Sequence, residues 1–505
     1  MSKKNRHIDF YDETLRDGTQ SLWAMQLPQG VVDAVIDEVD QSGFRAVSFP
    51  IHSIFFQLAV RSGENPWDLL RMLKRRLKKT KVSAICLTGH INMEKPVDPP
   101  SIWKLFIRKT VEISGQSCAT FQSNPTDEIS RYPEWFSLLN ELGVETYPAV
   151  CYYPSPRIND EYFVNLTKRI LKFKPDRIYL KDAGGLLTTE VVKTLLPAMM
   201  KEAHAQGVPV GIHTHDVSTN AGRVIVEAMK LGVDEVHTCT PPLANGTSHT
   251  SIFNAIHNAR LLGLTHNINV EPLKEVEERL TMIAKQENFP IGVPLEYDHG
   301  VYMHQVPGGV RGTLKNNLEQ LGIVHRLDDV LEEVVRVRED LGSPIMITPF
   351  SQYVVSQAAV NVAMGERYKD ILDSVIEMAL GVYGVGDSGA SHIDPNLKDK
   401  IFGHPNAKRI SQKWEMEKAE AAEDKPVEYY KAKYDMTNAS DEDFLLVYLM
   451  KGKEEVDKMH AAGEPRSYYT GKEPLGQLLN ALSKEKDISR LHLQKGNSYF
   501  DFRQK

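Results

Sequence analysis

Four side chains in this sequence could bind one divalent metal ion, and they come from three separate motifs. Asp17 lies in "FYDETLRDGTQ" (10–20), Lys181 in "YLKDAGG", and His213 with His215 in "GIHTHDVS". Two imidazoles and one carboxylate suit zinc, manganese or cobalt and leave coordination positions open for a substrate. An HxH or LRD motif alone is commonly structural, but their combination indicates a catalytic metal site.

Lys181 needs a chemical modification to act as a ligand, because a protonated amine is repelled by a cation. An amine that has reacted with carbon dioxide becomes a carbamate, whose anionic oxygen can bind a divalent ion. Burial near a cation lowers the pKa of an amine, which favours this reaction. The alternative is an ordinary solvated lysine at the end of a strand.

The elements that must position these residues alternate regularly along the first half of the chain. Eight short β-rich runs alternate with segments of helical period, which is typical of parallel βα units. Eight such units predict a (β/α)8 TIM barrel, an α/β fold whose chemistry lies at the carboxyl ends of the strands. The predicted strands are residues 7–12, 44–49, 81–87, 117–122, 145–150, 176–181, 208–213 and 234–239.

Beyond the barrel, the pattern changes to helices joined by glycine and proline turns. We predict a barrel domain over residues 1–265 and a mostly α-helical domain over residues 266–403 that completes the active-site funnel. Residues 404–437 are rich in charge and predict an exposed helical linker. Residues 438–505 predict a small helical unit, followed by a tail that alternates like an edge strand.

Composition excludes several classes of protein. A net charge of -7 over 505 residues gives no electrostatic basis for binding nucleic acid. No run approaches the about 18 apolar residues of a membrane span, and no signal-peptide core follows the N-terminus, so we expect a cytoplasmic location. The cysteines are far apart in or beside apolar runs, which predicts buried free thiols at Cys86, Cys118, Cys151 and Cys239.

A wider set of motifs resembles one enzyme family. "LRDGTQS", "YLKDAGGLL", "GIHTHDVS", "HQVPGG", "VREDLGSPIMITPFSQ" and "MGERYKDI" are similar to the carboxyltransferase domain of pyruvate carboxylase, the oxaloacetate decarboxylase α subunit and the central transcarboxylase subunit. The resemblance extends from residue 8 to about residue 460. It implies that Asp17, His213, His215 and a carboxylated Lys181 bind the metal.

The resemblance also implies a reaction. In this family, carboxybiotin on a separate carrier releases carbon dioxide in the barrel mouth, and an enolised acceptor captures it near the metal. A threonine after the eighth strand relays the proton, and Thr247 in "PPLANGTSHTS" holds the matching position. A hydroxyl can do this because it both donates and accepts. The alternative for Thr247 is a cap of the following helix.

Two further polar residues flank the Asp17 position and are predicted to be catalytic. Arg16 could hold a substrate carboxylate, or it could form a structural ion pair beside the metal. Gln20 could donate a hydrogen bond to an acceptor or enolate oxygen.

The sequence departs from the family where an α-keto acid would bind. Members that act on pyruvate or oxaloacetate carry "GGATFD" after strand two and an arginine in "LLRG" after strand three, whereas this chain has "FPIHSIFFQ" and "CLTGHIN". Threonine cannot form the bidentate pair with a carboxylate that arginine forms, so we predict an acceptor other than pyruvate. The candidate pocket residues are His52, Phe55, Phe56, Thr88, His90 and Asn92.

No biotinylation motif of the AMKM type occurs in a mobile position, since "EAMKLG" falls in the helix between strands seven and eight. The resemblance therefore implies a separate biotin carboxyl carrier protein, a biotin carboxylase subunit and a homodimeric chain. Three alternatives stay open. They are a biotin-independent lyase, aldolase or condensing enzyme of the hydroxymethylglutaryl-CoA lyase or isopropylmalate synthase type, an oxaloacetate-type decarboxylase, and a non-catalytic scaffold subunit.

Overall fold

Eight parallel strands close into a barrel in the computed structural model, which confirms the predicted fold. The model describes residues 6–86, 91, 97–123, 129, 132–320, 322–347, 349–384, 386, 390–450, 452–468, 482, 489–495 and 498–503. The strands are β1 (Asp9–Asp12), β2 (Ala46–Phe49), β3 (Lys81–Cys86), β4 (Cys118–Ser123), β5 (Glu145–Cys151), β6 (Ile178–Asp182), β7 (Val210–Thr214) and β8 (Glu235–Thr238). Each lies within about two residues of its predicted place.

The barrel closes between its first and last strands. Asp12 of β1 is in register with Thr238 of β8, and Tyr11 is in register with Ala46 of β2. Both faces of β6 and β7 are buried, because one face lines the barrel interior and helices cover the other. This closure brings the carboxyl ends of β7, β8 and β1 side by side.

The outer layer consists of the helices that follow each strand. They are α1 (Thr19–Trp23), α2 (Gln29–Gln41), α3 (Ile51–Phe56), α4 (Pro66–Arg76), α5 (Pro100–Ser114), α6 (Tyr132–Glu141), α7 (Asp160–Leu171), α8 (Thr189–His204), α9 (Ala221–Leu231) and α10 (Ile252–Leu261). α11 (Val270–Glu287) packs on α2, where Arg279 lies 2.6 Å from Glu38 and donates to the Ala34 carbonyl at 2.8 Å.

The second region is helical, as predicted. Its helices are α12 (Gly300–His304), α13 (Gly308–Gln320), α14 (Leu327–Asp340), α15 (Phe350–Met364), α16 (Asp373–Ala379) and α17 (Pro395–Phe402). A polar network joins α14 to α15 and to the loop that follows α15: Glu333 accepts from Asn361 at 2.8 Å and from Arg367 at 2.7 Å.

The charged segment forms α18 (Ala407–Glu423) and α19 (Val427–Lys433), and α20 (Asp441–Met450) and α21 (Lys453–Ala461) follow. α20 returns to the barrel, where the Trp67 indole donates to the Glu442 carbonyl at 3.2 Å and the Tyr448 hydroxyl donates to Asp98. The alternating tail forms an antiparallel hairpin of β9 (Arg490–Lys495) and β10 (Ser498–Arg503).

Two predictions from composition can be compared with the described residues. Cys118 and Cys239 are buried free thiols, as expected, and Cys151 is buried. The side chain of Cys86 lies outside the described part of the chain. Among the described helices, none combines the length and the apolar character that crossing a membrane requires.

Candidate metal centre

The chain leaves β1 through a wide helical turn that carries the first candidate residues. Thr14–Gly18 form a single π-helical turn, in which the Gly18 amide donates to the Glu13 carbonyl at 2.9 Å. Turns of this type occur frequently at functional sites. Here the turn places Arg16 and Asp17 at the mouth of the barrel.

Three imidazoles surround the Asp17 carboxylate. The Nε2 atoms of His213, His215 and His249 lie 3.2, 3.1 and 3.2 Å from Oδ2 of Asp17. His213 and His215 can both reach it because residues two apart along a strand share a face. All four side chains are buried. The structure therefore brings together three of the four predicted ligands.

His249 was not among the predicted residues. It lies in the loop after β8, two residues beyond Thr247, and its backbone forms an isolated antiparallel bridge with His215. The rule that places catalytic residues in the loops at the carboxyl ends of barrel strands covers His249, although it lies well beyond the end of β8 at Thr238. The sequence therefore contained a signal for His249, although no motif marked it.

Backbone carbonyls hold the second ring nitrogen of two of these histidines. Nδ1 of His215 lies 2.9 Å from the carbonyl oxygen of Thr247, and Nδ1 of His249 lies 3.1 Å from that of Thr214. A carbonyl oxygen only accepts, so each Nδ1 carries a proton. This arrangement is the usual support of a metal-ligating histidine, since it fixes the ring and directs Nε2 toward the ion.

Glu13 and His237 form a second buried cluster with His213. Nδ1 of His213 lies 3.3 Å from Oε1 of Glu13 and 3.2 Å from Nδ1 of His237. His237 in turn lies 3.1 Å from the same carboxylate oxygen. The two residues orient the His213 ring, and no sequence motif pointed to either of them.

Arg16 forms buried ion pairs with both neighbouring carboxylates. Its Nη2 atom lies 2.7 Å from Oε2 of Glu13 and 2.7 Å from Oδ2 of Asp17. Burial disfavours the ionised form of each carboxyl group, but Arg16 and the imidazoles outweigh it and hold both pKa values well below the usual range. Both carboxylates are therefore ionised. This geometry corresponds to the ion-pair alternative for Arg16.

Lys181 lies on β6 in register with His213 of β7 and is 4% exposed. Its amine makes no hydrogen bond or ion pair with any residue that the structure describes. Burial, and then the charge of Arg16, lower the pKa of this amine. A neutral amine is the form that reacts with carbon dioxide, so the surroundings are compatible with the carbamate, which stays a prediction.

The donor set fits a divalent cation. Nε2 of His213 is buried and makes no hydrogen bond to any described residue, although a carboxylate oxygen lies 3.2 Å away. Burial and the neighbouring imidazoles lower the pKa of His213 well below its usual value and that of His249 to about 4. Asp17 raises the pKa of His215 despite its burial. Imidazoles in the neutral form, beside an ionised carboxylate, are ligands that zinc, manganese and cobalt accept.

Thr247 lies where the loop after β8 meets the helical region. Its hydroxyl donates to the Ser21 carbonyl at 3.0 Å, while its own carbonyl accepts from His215. Gly308, at the start of α13, packs so closely that an added Cβ would lie 2.2 Å from Cβ of Thr247. The N-cap of α10 is Ser251, so the helix-capping alternative for Thr247 is wrong.

The remaining predicted residues are only partly described. Gln20 is half-buried in α1. Phe55 is 1% exposed and its ring packs edge-on against Trp67 and Phe106, whereas Phe56 is exposed. The side chain of His52 and the residues Thr88, His90 and Asn92 lie outside the described part of the chain.

Two family models match the sequence. Residues 7–280 match the model described as HMGL-like, which spans the barrel and the first part of α11. Residues 301–484 match the model described as a conserved carboxylase domain, which begins at α12. These matches confirm the resemblance that the motifs indicated.

Individual relatives agree with the family models. The chain is 26% identical over 424 residues to a pyruvate carboxylase subunit of Methanocaldococcus jannaschii, covering 82% of this chain and 73% of that protein. It is 24% identical over 471 residues to the methylmalonyl-CoA carboxyltransferase 5S subunit of Propionibacterium freudenreichii subsp. shermanii, covering 92% and 89%. The carboxyl transferase domain of Rhizobium etli pyruvate carboxylase superposes with a TM-score of 0.76 at 20% identity, over 90% of this chain and 77% of that one, which supports the fold.

Proposed function

Since the chain belongs to the HMGL-like family and continues into a conserved carboxylase domain, we propose that it is the carboxyltransferase subunit of a biotin-dependent carboxylase. The subunit moves carbon dioxide between carboxybiotin on a separate carrier and an enolisable carbonyl acceptor. One observation carries the proposal. Thr247 contacts the histidine cluster through its carbonyl and the conserved carboxylase domain through Gly308.

The side chains at the mouth have distinct roles in this reaction. A divalent cation held by Asp17, His213 and His215 would polarise the acceptor carbonyl. The Thr247 hydroxyl moves a proton between the acceptor carbon and the ureido nitrogen of biotin, because it can donate and accept in turn. Gln20, half-buried one turn from Asp17, donates a hydrogen bond to the acceptor oxygen.

Arg16 has a positioning role and does not contact the substrate. Its guanidinium is occupied by Glu13 and Asp17, so it holds the ligand carboxylate in place and is not the group that binds a substrate carboxylate. Lys181, buried beside His213, is the group that reacts with carbon dioxide if a carbamate joins the metal.

The acceptor is a compound other than pyruvate. The support is the sequence departure after strands two and three, where Thr88 occupies the position of the arginine that binds a keto acid. The candidate pocket residues are His52, Phe55 and Phe56 in α3, which follows β2, and Thr88, His90 and Asn92 in the sequence after β3.

The protein works with a biotin carboxyl carrier protein and a biotin carboxylase subunit, as a homodimer. The support is that relatives of the chain are themselves named as subunits.

The test is transfer of labelled carbon dioxide from a carboxybiotinyl carrier to a panel of carbonyl acceptors, with the full chain and a series of divalent metals. Thr247→Ala should lower the transfer rate by about 100-fold or more, while Thr247→Ser keeps most of it, because only the hydroxyl is needed. Enolate chemistry that proceeds without biotin would instead support the lyase alternative. Transfer that is unchanged in Thr247→Ala would remove the assigned role.

A further inference from the structure

We propose that His249 is a direct metal ligand, so that the centre of this chain consists of three imidazoles and one carboxylate and is complete without a carbamate on Lys181. The inference rests on the metal site of the proposed function and deepens it, because it changes the ligand set. Neither the LRD, HxH and KDxxG motifs nor their spacing pointed to His249.

The first support is the number of groups that face a single oxygen. Oδ2 of Asp17 lies 2.7 Å from Nη2 of Arg16 and 3.1 to 3.2 Å from the Nε2 atoms of His213, His215 and His249. A carboxylate oxygen has two lone pairs, and Arg16 engages one of them. Hydrogen bonding therefore cannot account for three imidazoles at this oxygen.

The second support is the tautomer of the His249 ring. Its Nδ1 lies 3.1 Å from the carbonyl oxygen of Thr214, which requires the proton to be on Nδ1. In the neutral ring Nε2 then carries a lone pair, directed at the negative oxygen of Asp17. Two lone pairs that face each other at 3.2 Å are repulsive unless a cation lies between them.

The third support is that the rings of His249 and His215 make the same two kinds of contact. Each ring has its Nδ1 at a backbone carbonyl, Thr214 for His249 and Thr247 for His215, and each presents Nε2 to the same carboxylate oxygen. The 3.1 to 3.2 Å separations between the three Nε2 atoms and Oδ2 of Asp17 match a ligand shell, since neighbouring donors on an ion with bonds of about 2.1 Å lie about 3.0 to 3.4 Å apart. The two histidines are therefore equivalent members of one donor set.

The ligand set has a chemical consequence. With three neutral imidazoles and one carboxylate as ligands, a divalent ion forms a centre with a net charge of +1. If a carbamate replaced one imidazole, the net charge of the centre would be zero. The more positive centre polarises an acceptor carbonyl more strongly. Metal binding also becomes independent of carbon dioxide, because no ligand has to be formed from it.

Metal binding by substituted proteins tests the proposal without any enzymatic turnover. The full chain is stripped with a chelator, and Co²⁺ affinity is measured by competition with a chelating dye while the visible spectrum reports the ligand field. His249→Ala should weaken Co²⁺ binding by more than the about 10- to 100-fold that loss of a supporting residue costs, and should change the spectrum. Lys181→Ala should leave both the Co²⁺ affinity and the visible spectrum unchanged. His304→Gln, which removes another buried imidazole from α12, is the matched control and should bind Co²⁺ as the wild type does.

Two measurements on the wild type keep the proposal testable if His249→Ala does not fold. X-ray absorption of the zinc-loaded protein should count three imidazole ligands. Co²⁺ affinity should be the same in carbon-dioxide-free buffer and in bicarbonate. Unchanged Co²⁺ affinity in His249→Ala, two imidazoles, or at least about tenfold tighter binding in bicarbonate would each overturn the proposal. These readouts require no carrier or acceptor, so they can fail while carboxyl transfer is demonstrated, and the reverse.

Discussion

Nε2 of His215 lies 3.1 Å from Oδ2 of Asp17, although 198 residues separate the two along the chain. The contact exists because β8 pairs with both β1 and β7, so the ends of these three strands are neighbours. The turn after β1 supplies Asp17, while β7 and the residue that follows it supply His213 and His215. The loop after β8 supplies His249 and Thr247. The candidate site is thus a product of barrel closure.

Gly308→Ala should impair carboxyl transfer without removing the metal. The added Cβ would lie 2.2 Å from Cβ of Thr247, so either the threonine or the first turn of α13 must move. A displacement of about 1 Å can cost about 100-fold in rate, and we expect a loss of that order. Bound metal, measured by atomic emission, should be unchanged.

Gly222→Ala is the matched control for that substitution. Gly222 lies in α9, and a Cβ built there has no neighbour within 4 Å among the residues that the structure describes. Transfer by this variant should equal that of the wild type. If Gly308→Ala also left the rate of carboxyl transfer unchanged, the contact between α13 and Thr247 would have no part in the reaction.

Arg16→Met should destabilise the fold strongly. The substitution leaves Glu13 and Asp17 as buried carboxylates without their cation, and removing one partner of a buried ion pair costs about 3 to 5 kcal/mol. Urea unfolding at pH 8 in excess chelator measures this, since bound metal then does not contribute to stability.

Arg108→Met provides the comparison for an exposed pair. Arg108 lies 2.8 Å from Glu141 on the surface, where such pairs contribute at most about 1 kcal/mol. A loss in Arg16→Met no larger than in Arg108→Met would mean that the buried pairs at the barrel mouth do not stabilise the fold.

Local patterns in the sequence identified some of these features, and chain closure determined the others. All eight strands were predictable, because each is a short apolar run between helical segments. Asp17, His213 and His215 were predictable because they end such runs. Glu13 and His237 were not, since they lie 224 residues apart and only the pairing of β1 with β8 brings them together. The contact between Trp67 and α20 was likewise not predictable, because no local sequence pattern marks it.

Glu235 should make the stability of the barrel depend on pH. Its carboxylate lies 2.5 Å from Nε of Arg45 and 3.7 Å from Nη1 of Arg177; burial raises its pKa, but these two arginines outweigh burial and hold it well below the usual value. A lowered folded-state pKa contributes stability above the unfolded value of about 4.3. That contribution is lost as the pH falls toward the folded value.

The free energy of unfolding of wild type minus Glu235→Gln should therefore be largest near pH 7 and should shrink below about pH 4. Urea titrations at pH 7, 5, 4 and 3 measure it. Glu141→Gln, at an exposed carboxylate, is the control and should show a much smaller difference at every pH. A Glu235 difference that grows on acidification would contradict the assigned direction.

The acceptor preference should change when an arginine is restored after strand three. Wild type should transfer carbon dioxide to pyruvate poorly, because Thr88 cannot form a bidentate pair with a keto-acid carboxylate. Thr88→Arg supplies that pair, and hydrogen bonds to a charged group are each worth about 1.5 to 3 kcal/mol, so kcat/KM for pyruvate should rise about tenfold or more. Thr88→Lys adds the charge without the planar fork and should gain less. Robust turnover of pyruvate or oxaloacetate by the wild type would show that the carboxylate is bound by another residue and that Thr88 does not determine specificity.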